Sequence, residues 1–399
     1  MRTATLTIAL MIAVAASALA QRAPRRPRLP PMSDTCDAWV YYQYGITQLE
    51  RDPGDAAAAF YWAERLSPNT ALAYYGERIA RLLDDPFTLK RYVEGDRSAL
   101  QSKDVRRIDS LEVKAIALDP FFPQRLDETM IVTYYNNLVR DNLRQSGENA
   151  VSDPEIDAYV RDRLQETHGW LLAWLVMSRG DFRRAADLLA TEVRNDRKNT
   201  EIRAQRAQAL YLAGERDSAR VELDSALAAA RRSDAQKMKF VYNSKAAWEY
   251  ELGRTWEVLG SDSAAKAAYQ QALIEDLSYY PAHTRLAFIA VRERDTTLAL
   301  TELQRSIAVR DEYNARLQLG ILLATRHAYD SATAHLRRAI EIEPWVAAPH
   351  LVLADVRRDA GDRDGAAAEY QRFLALAAHN DADLASAQQR LNALAPKAP

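Results

Sequence analysis

The sequence predicts an all-α protein, an array of antiparallel helix pairs, on three observations. Only 13 of the 399 residues are Gly, roughly 3% where about 7% is usual, and helix interiors penalise Gly by about 1 kcal/mol. A small residue followed four positions later by Leu or Tyr recurs through the second half, with its Ala at 185, 219, 265, 299, 332 and 366, at spacings of 34, 46, 34, 33 and 34 residues. Upstream of these, Leu172-Ala173, Arg206-Ala207, Leu252-Gly253, Leu286-Ala287, Leu319-Gly320 and Leu353-Ala354 repeat in step, the second residue of each lying twelve before its partner Ala. Fixed periods of this length signal stacked supersecondary units.

Composition narrows the class further. The chain is 48% hydrophobic and 27% charged, with a mean hydropathy of −0.37. Its 53 basic and 55 acidic residues leave a formal charge of −2, with no long run of one sign, which argues against nucleic acid as a partner. A single cysteine, Cys36, forms no internal disulfide and supplies no cysteine metal cage.

Element by element, Met1-Arg2, the apolar stretch Leu6 to Leu19 and the small-x-small site Ala18-Leu19-Ala20 read as a secretory signal peptide over 1–20, cleaved before Gln21. The apolar stretch is shorter than the ~20 residues a membrane span needs, so the processed chain is expected to be exported, to periplasm or medium, with no transmembrane span. Residues 21–36 carry Arg22, Arg25, Arg26 and Arg28 among four prolines. Pro this dense forbids a helix and predicts an extended linker, a plain spacer or an electrostatic tether to an anionic surface. Residues 37–165 read as a helical region with fainter repeats, since Ala56, Phe60, Ala63 and Pro68 reproduce the second-helix spacing and Lys114 to Pro120 resembles a repeat exit.

The array over 166–380 is read as six units, approximately 166–199, 200–233, 246–279, 280–312, 313–346 and 347–380, with a 12-residue insertion near 231–245 that lengthens helices. Gly180-Asp181, Gly214-Glu215, Gly260-Ser261 and Gly361-Asp362 mark the turn inside a unit, where Gly accepts the left-handed backbone that ends a helix. Ala185, Ala219, Gly253, Ala265, Ala299, Gly320, Ala332 and Ala366 are the packing positions, small because paired helices approach closely only where Cβ bulk is absent; enlarging one costs roughly 1–3 kcal/mol. Residues 381–399 supply a capping helix, with Leu384, Ala387, Leu391 and Leu394 at helical spacing.

This ordered pattern resembles the tetratricopeptide repeat (TPR), whose helix pairs carry Leu-Gly or Leu-Ala in the first helix, Ala in the second and often Pro at the exit. The resemblance covers 166–380 and is strongest over 313–346. Arg206 departs from it at a usually apolar place, and Arg294 and His327 stand where Gly is common. It implies a right-handed superhelix whose groove, lined by first helices, binds a protein or peptide segment. Projection onto that groove places there Trp170, Trp174, Ala204, Gln208, Tyr250, Arg254, Thr284, Phe288, Leu317, Ile321, Leu351 and Asp355. The eight selected as binding residues are Trp170, Trp174, Gln208, Tyr250, Arg254 and Phe288 with the adjacent Tyr211 and Arg285. Trp, Tyr and Arg dominate interface energetics, although aromatics at this spacing also serve as core. Gln205, Gln208 and Arg254 do not reproduce the Lys and Asn set by which family members hold a C-terminal carboxylate.

No catalytic residue, metal site or cofactor is indicated. The six His show no metal spacing, and neither a P-loop nor a GxSxG elbow occurs. The leading expectation is a non-enzymatic exported scaffold. The alternative is a glycan- or cell-envelope-polymer-binding protein that stacks sugars on the aromatics Tyr41, Tyr42, Tyr44, Tyr61, Trp62, Tyr74 and Tyr75.

Overall fold

The computed structural model describes residues 23–94, 103–147, 151–196, 199–234 and 245–394; the expected signal peptide lies outside them. Among the described residues are twenty helices and no strand. The N-terminal half holds α1 (Ala38–Gln48), α2 (Pro53–Leu66), α3 (Ala71–Asp84), the short α4 (Pro86–Val93), α5 (Lys103–Leu118), α6 (Asp127–Ser146) and α7 (Asp153–Gln165). Six pairs follow: α8 (Gly169–Ser178) with α9 (Phe182–Asn195), α10 (Thr200–Leu212) with α11 (Arg216–Asp234), and α12 (Lys245–Val258) with α13 (Asp262–Glu275). The next are α14 (Tyr280–Arg292) with α15 (Thr296–Val309), α16 (Tyr313–Thr325) with α17 (Tyr329–Ile342), and α18 (Ala348–Asp359) with α19 (Arg363–Leu376), after which α20 (Leu384–Leu394) packs on α19. α11 runs to Asp234, five residues longer than α13, so part of the insertion is helix; residues 235–244 lie outside the described residues.

One turn device recurs in all six pairs. Gly180, Gly214, Gly260 and Gly361 take φ between +78° and +87°. In the first pair the Gly180 N–H donates to the Met177 carbonyl (3.0 Å) and the Asp181 N–H to the Val176 carbonyl (3.1 Å), which satisfies two carbonyls left over at the helix end. Arg294 and His327 adopt the same left-handed backbone, at φ 63° and 58°, with the matching bonds from Asp295 to Ala290 and from Ala328 to Leu323. The turn therefore survives where its Gly does not. The next helix starts on an Asp cap at Asp181, Asp295 and Asp362, whose side chains accept from backbone N–H groups of the first turn.

Close helix approach is visible at the small residues. Ala185, Ala219, Ala265, Ala299, Ala332 and Ala366 are fully buried. A Cβ at Gly320 would lie 2.6 Å from Leu336 Cγ, and one at Gly253 would lie 2.6 Å from Tyr269 Cδ1. The N-terminal half repeats this device: the buried Phe60 ring fills the space beside both Gly45 of α1 and Gly76 of α3.

Polar pairs nineteen residues apart pin first helix to second. Arg203 donates to Glu222 at 2.7 Å, His283 Nδ1 lies 2.6 Å from Glu302 and His350 Nδ1 lies 2.7 Å from Glu369. Arg206, the departure noted in the second unit, also pairs with Glu222. Both His are buried, so in these pairs each polar group has a partner in the neighbouring helix.

The Pro-rich segment does not behave as the solvated linker its composition predicts. Trp62 Nε1 donates to the Pro24 carbonyl at 3.0 Å, Pro27 is buried, and the Arg26 guanidinium lies 4.4 Å from the Trp62 ring centroid and 4.8 Å from that of Trp345. A cation in the corner of two aromatic rings set edge to face supplies the attraction that composition alone hides. Beside it Arg65 pairs with Glu343 at 2.9 Å, and the His379 N–H donates to Asp34 at 2.6 Å. The first helices thus close onto the last two pairs of the array.

Candidate functional site

The groove selected from sequence is not open along its length. α5 ends at Leu118, where Pro120 prevents its continuation, and the following Asp119-Pro120-Phe121-Phe122 enters the face formed by the first helices. Phe121 stacks on Tyr211 with centroids 4.5 Å apart, and Gln208 Nε2 donates to the Phe122 carbonyl at 3.1 Å. Arg254 Nε donates to the Ala117 carbonyl at 2.7 Å and Nη2 to that of Leu118, capping the last turn of α5. Trp174 Nε1 and Tyr75 Oη both donate to Asp127 at 2.6 Å. Burial drives the Asp127 carboxyl up to about 6, against the pull of these two bonds. The reading of Trp174, Gln208, Tyr211 and Arg254 as groove contacts for a partner is therefore corrected: they hold the chain's own N-terminal half. Phe121 and Phe122 are 4% and 2% exposed, so this segment is core and not a removable plug. Trp170 stands apart, 52% exposed and stacked on Trp174.

What remains open is a cavity of about 570 Å³ beyond this wedge, within the usual size range of ligand pockets. Tyr250 and Arg254 of α12, Arg285 and Phe288 of α14, and Leu317 of α16 line one side, while Tyr74 of α3 and Lys114 of α5 line the other. Tyr250 is only 6% exposed and stays largely in the wall. Three cations lie over aromatic rings: Arg285 over Phe288 at 4.9 Å, Arg310 over Tyr280 at 5.3 Å and Lys114 over Tyr74 at 5.2 Å.

Glu257 lies behind the lining and holds its arginines. It accepts from Arg254 Nη1 (3.0 Å), Arg285 Nε (3.0 Å), Arg292 Nη2 (2.9 Å) and the Tyr269 hydroxyl (2.7 Å). Burial alone would raise its carboxyl; the bonds and charges of the arginines outweigh that and hold it at about 2. The acids of the rim are also committed. Asp311 accepts from Arg316 and Arg338, at 2.7 and 2.6 Å, Glu343 accepts from Arg65, and burial pushes the Glu312 carboxyl upward.

Of the eight groove residues selected from sequence, Tyr250, Arg254, Arg285 and Phe288 reach this cavity. Lys114, Tyr280, Arg310 and Tyr313 were missed, because they sit at helix starts, in an exit loop and on the opposite half, outside the spacing that defines a unit. The Lys114 to Pro120 stretch had stood out as a repeat exit, and that was the available signal. Most of the tyrosine-rich N-terminal set is core: Tyr41, Tyr42, Trp62, Tyr74 and Tyr75 are 1–8% exposed, and Tyr44 and Tyr61 are half-buried. Among the described residues, no group of three or more His, Cys, Asp or Glu is placed to hold a metal ion, and no helix is long and apolar enough to cross a membrane.

No family model and no curated protein matches the chain. Among solved structures it is similar to YrrB, a TPR protein with an unusual peptide-binding site, at 21% identity over 52% of this chain and 100% of that one, TM-score 0.38. It is similar to the C-terminal part of a TPR repeat-containing protein from Cytophaga hutchinsonii, at 17% identity over 56% and 84%, TM-score 0.45. A third likeness is to the Cut9–Hcn1 hetero-tetramer of APC/C, at 15% identity over 90% and 76%, TM-score 0.40.

Proposed function

We propose that the protein is a TPR-like interaction scaffold that receives a segment of another protein in the cavity between α12, α14, α16 and the N-terminal half. The observation that supports this reading is the cavity wall, where aromatic faces alternate with oriented cations, the residue types that supply most interface energy. On the same face, Gln208 and Arg254 already bind main-chain carbonyls within the chain, so its donors suit polypeptide.

Capture of partners by the wild type and by Phe288→Ala/Leu317→Ala tests it. Both side chains are half-buried in the cavity wall, so their removal should lower recovery while the fold persists. Equal recovery would reject the cavity. Tyr250 and Arg254 are unsuited to this test because both are buried.

The reading also includes export. Its support is the basic start, apolar stretch and small-x-small site of the first twenty residues. Sequencing the amino terminus of protein from the exported fraction should return Gln21 first; a chain that retains Met1 would overturn this part.

A further inference from the structure

Resting on the reading of the cavity as a protein-binding site, we propose that its ligand is an acidic, extended segment whose Asp or Glu carboxylates meet Lys114 and Arg310. The side chains between those carboxylates would lie against Phe288 and Leu317. Four cations line the cavity, and they are not equivalent. Arg254 is spent on two carbonyls and Glu257, and Arg285 is spent on Glu257. Lys114 and Arg310 are exposed, and among the described residues neither forms an ion pair with a carboxylate.

Two of the three rim acids are already paired. Asp311 is neutralised by Arg316 and Arg338, and Glu343 by Arg65. Glu312, beside Arg310, accepts from Asn314 Nδ2 at 3.4 Å, and burial pushes its carboxyl and those of Glu64 and Glu343 upward. Both free cations are already held over rings, Tyr74 for Lys114 and Tyr280 for Arg310. A guanidinium lying over a ring keeps its N–H donors at its edge, where a carboxylate meets them. A cavity of about 570 Å³ admits a few residues of extended chain and not a folded domain.

The test uses the full chain and three blocked fluorescent heptapeptides in which Leu and Phe alternate with Glu, with Gln or with Lys. By anisotropy at low salt the Glu peptide should bind at least about tenfold more tightly than the Gln peptide, with the gap narrowing as salt rises. Lys114→Glu/Arg310→Glu should lose the Glu peptide and gain the Lys peptide, a reversal that a misfolded variant does not produce. If the Glu and Gln peptides bind alike and Phe288→Ala weakens both, the acidic ligand is refuted and the protein-binding site stands. If no peptide binds, both readings fall. Displacement of the Glu peptide by free glutamate or citrate at the same concentrations as by unlabelled peptide would mark a small-anion site and overturn the proposal.

Discussion

Replacing Arg254 by Met should loosen the N-terminal half from α12 while the last three helix pairs stay folded. Arg254 is 7% exposed, and its Nε donates to the Ala117 carbonyl at 2.7 Å, its Nη2 to the Leu118 carbonyl and its Nη1 to Glu257 at 3.0 Å. Met keeps an apolar stem of similar reach, so the loss is mainly polar. Hydrogen bonds from a charged donor contribute about 1.5–3 kcal/mol each, and two such bonds to the end of α5 set the scale. Glu257 keeps Arg285, Arg292 and Tyr269, so the third lost contact adds little. Water reaching the freed carbonyls recovers part of the cost, leaving about 3–4 kcal/mol for local opening. Amide hydrogen exchange read by peptide mass analysis is the suitable assay, because helix arrays couple mainly to nearest neighbours and need not unfold as one unit. Amides of 115–130 should exchange faster by roughly two to three orders of magnitude, with those of α18 to α20 unchanged. Unaltered protection at 115–130, or uniform loss across the array, would refute the capping role.

Gly320→Ala places a methyl 2.6 Å from Leu336 Cγ; overpacking of about 1–3 kcal/mol exceeds the ~1 kcal/mol gained in helix propensity, so the urea midpoint should fall, and an unchanged or higher midpoint would contradict the close-approach reading. Trp345→Ala removes one face of the Arg26 clasp and the Trp62 edge contact at 5.3 Å, so trypsin should cut after Arg25 and Arg28 faster than in the wild type, the bond after Arg26 being blocked by Pro27; equal rates would show that the clasp does not hold the segment. Burial, then Glu112, raises the Glu251 carboxyl to about 7. A folded-state value above the unfolded one means stability is lost as pH rises from about 4.3 to 7. Glu251→Gln should therefore match the wild type near pH 4 and exceed it at pH 8 in denaturant midpoint, and a flat difference would sink the assignment. Glu257 runs the other way. Held at about 2, it contributes stability above about 4.3 that is lost as pH falls toward 2, and Glu257→Gln should flatten that acid limb.

The repeat was legible because each unit's constraints are local. The small residue that lets two helices approach, the left-handed turn and the capping Asp all lie within one period, and the phase of six units averages out single departures such as Arg206, Arg294 and His327. The site was legible only by half, for the opposite reason. Arg254 and Lys114 are 140 positions apart and line one cavity, and no spacing within a unit encodes that meeting. Projection onto the first helices found the residues facing inward, and facing inward is necessary for a groove contact without deciding what is met there. In the first three pairs the chain meets itself, through Phe121 on Tyr211, the Phe122 carbonyl on Gln208 and the end of α5 on Arg254. The Arg and aromatic composition that marks a binding surface is thus divided between two uses, and hydrogen-bond satisfaction separates them. Where the cations have carbonyl or carboxylate partners the surface is structure. Where they rest on rings without a carboxylate, at Lys114 and Arg310, it is still open to a ligand.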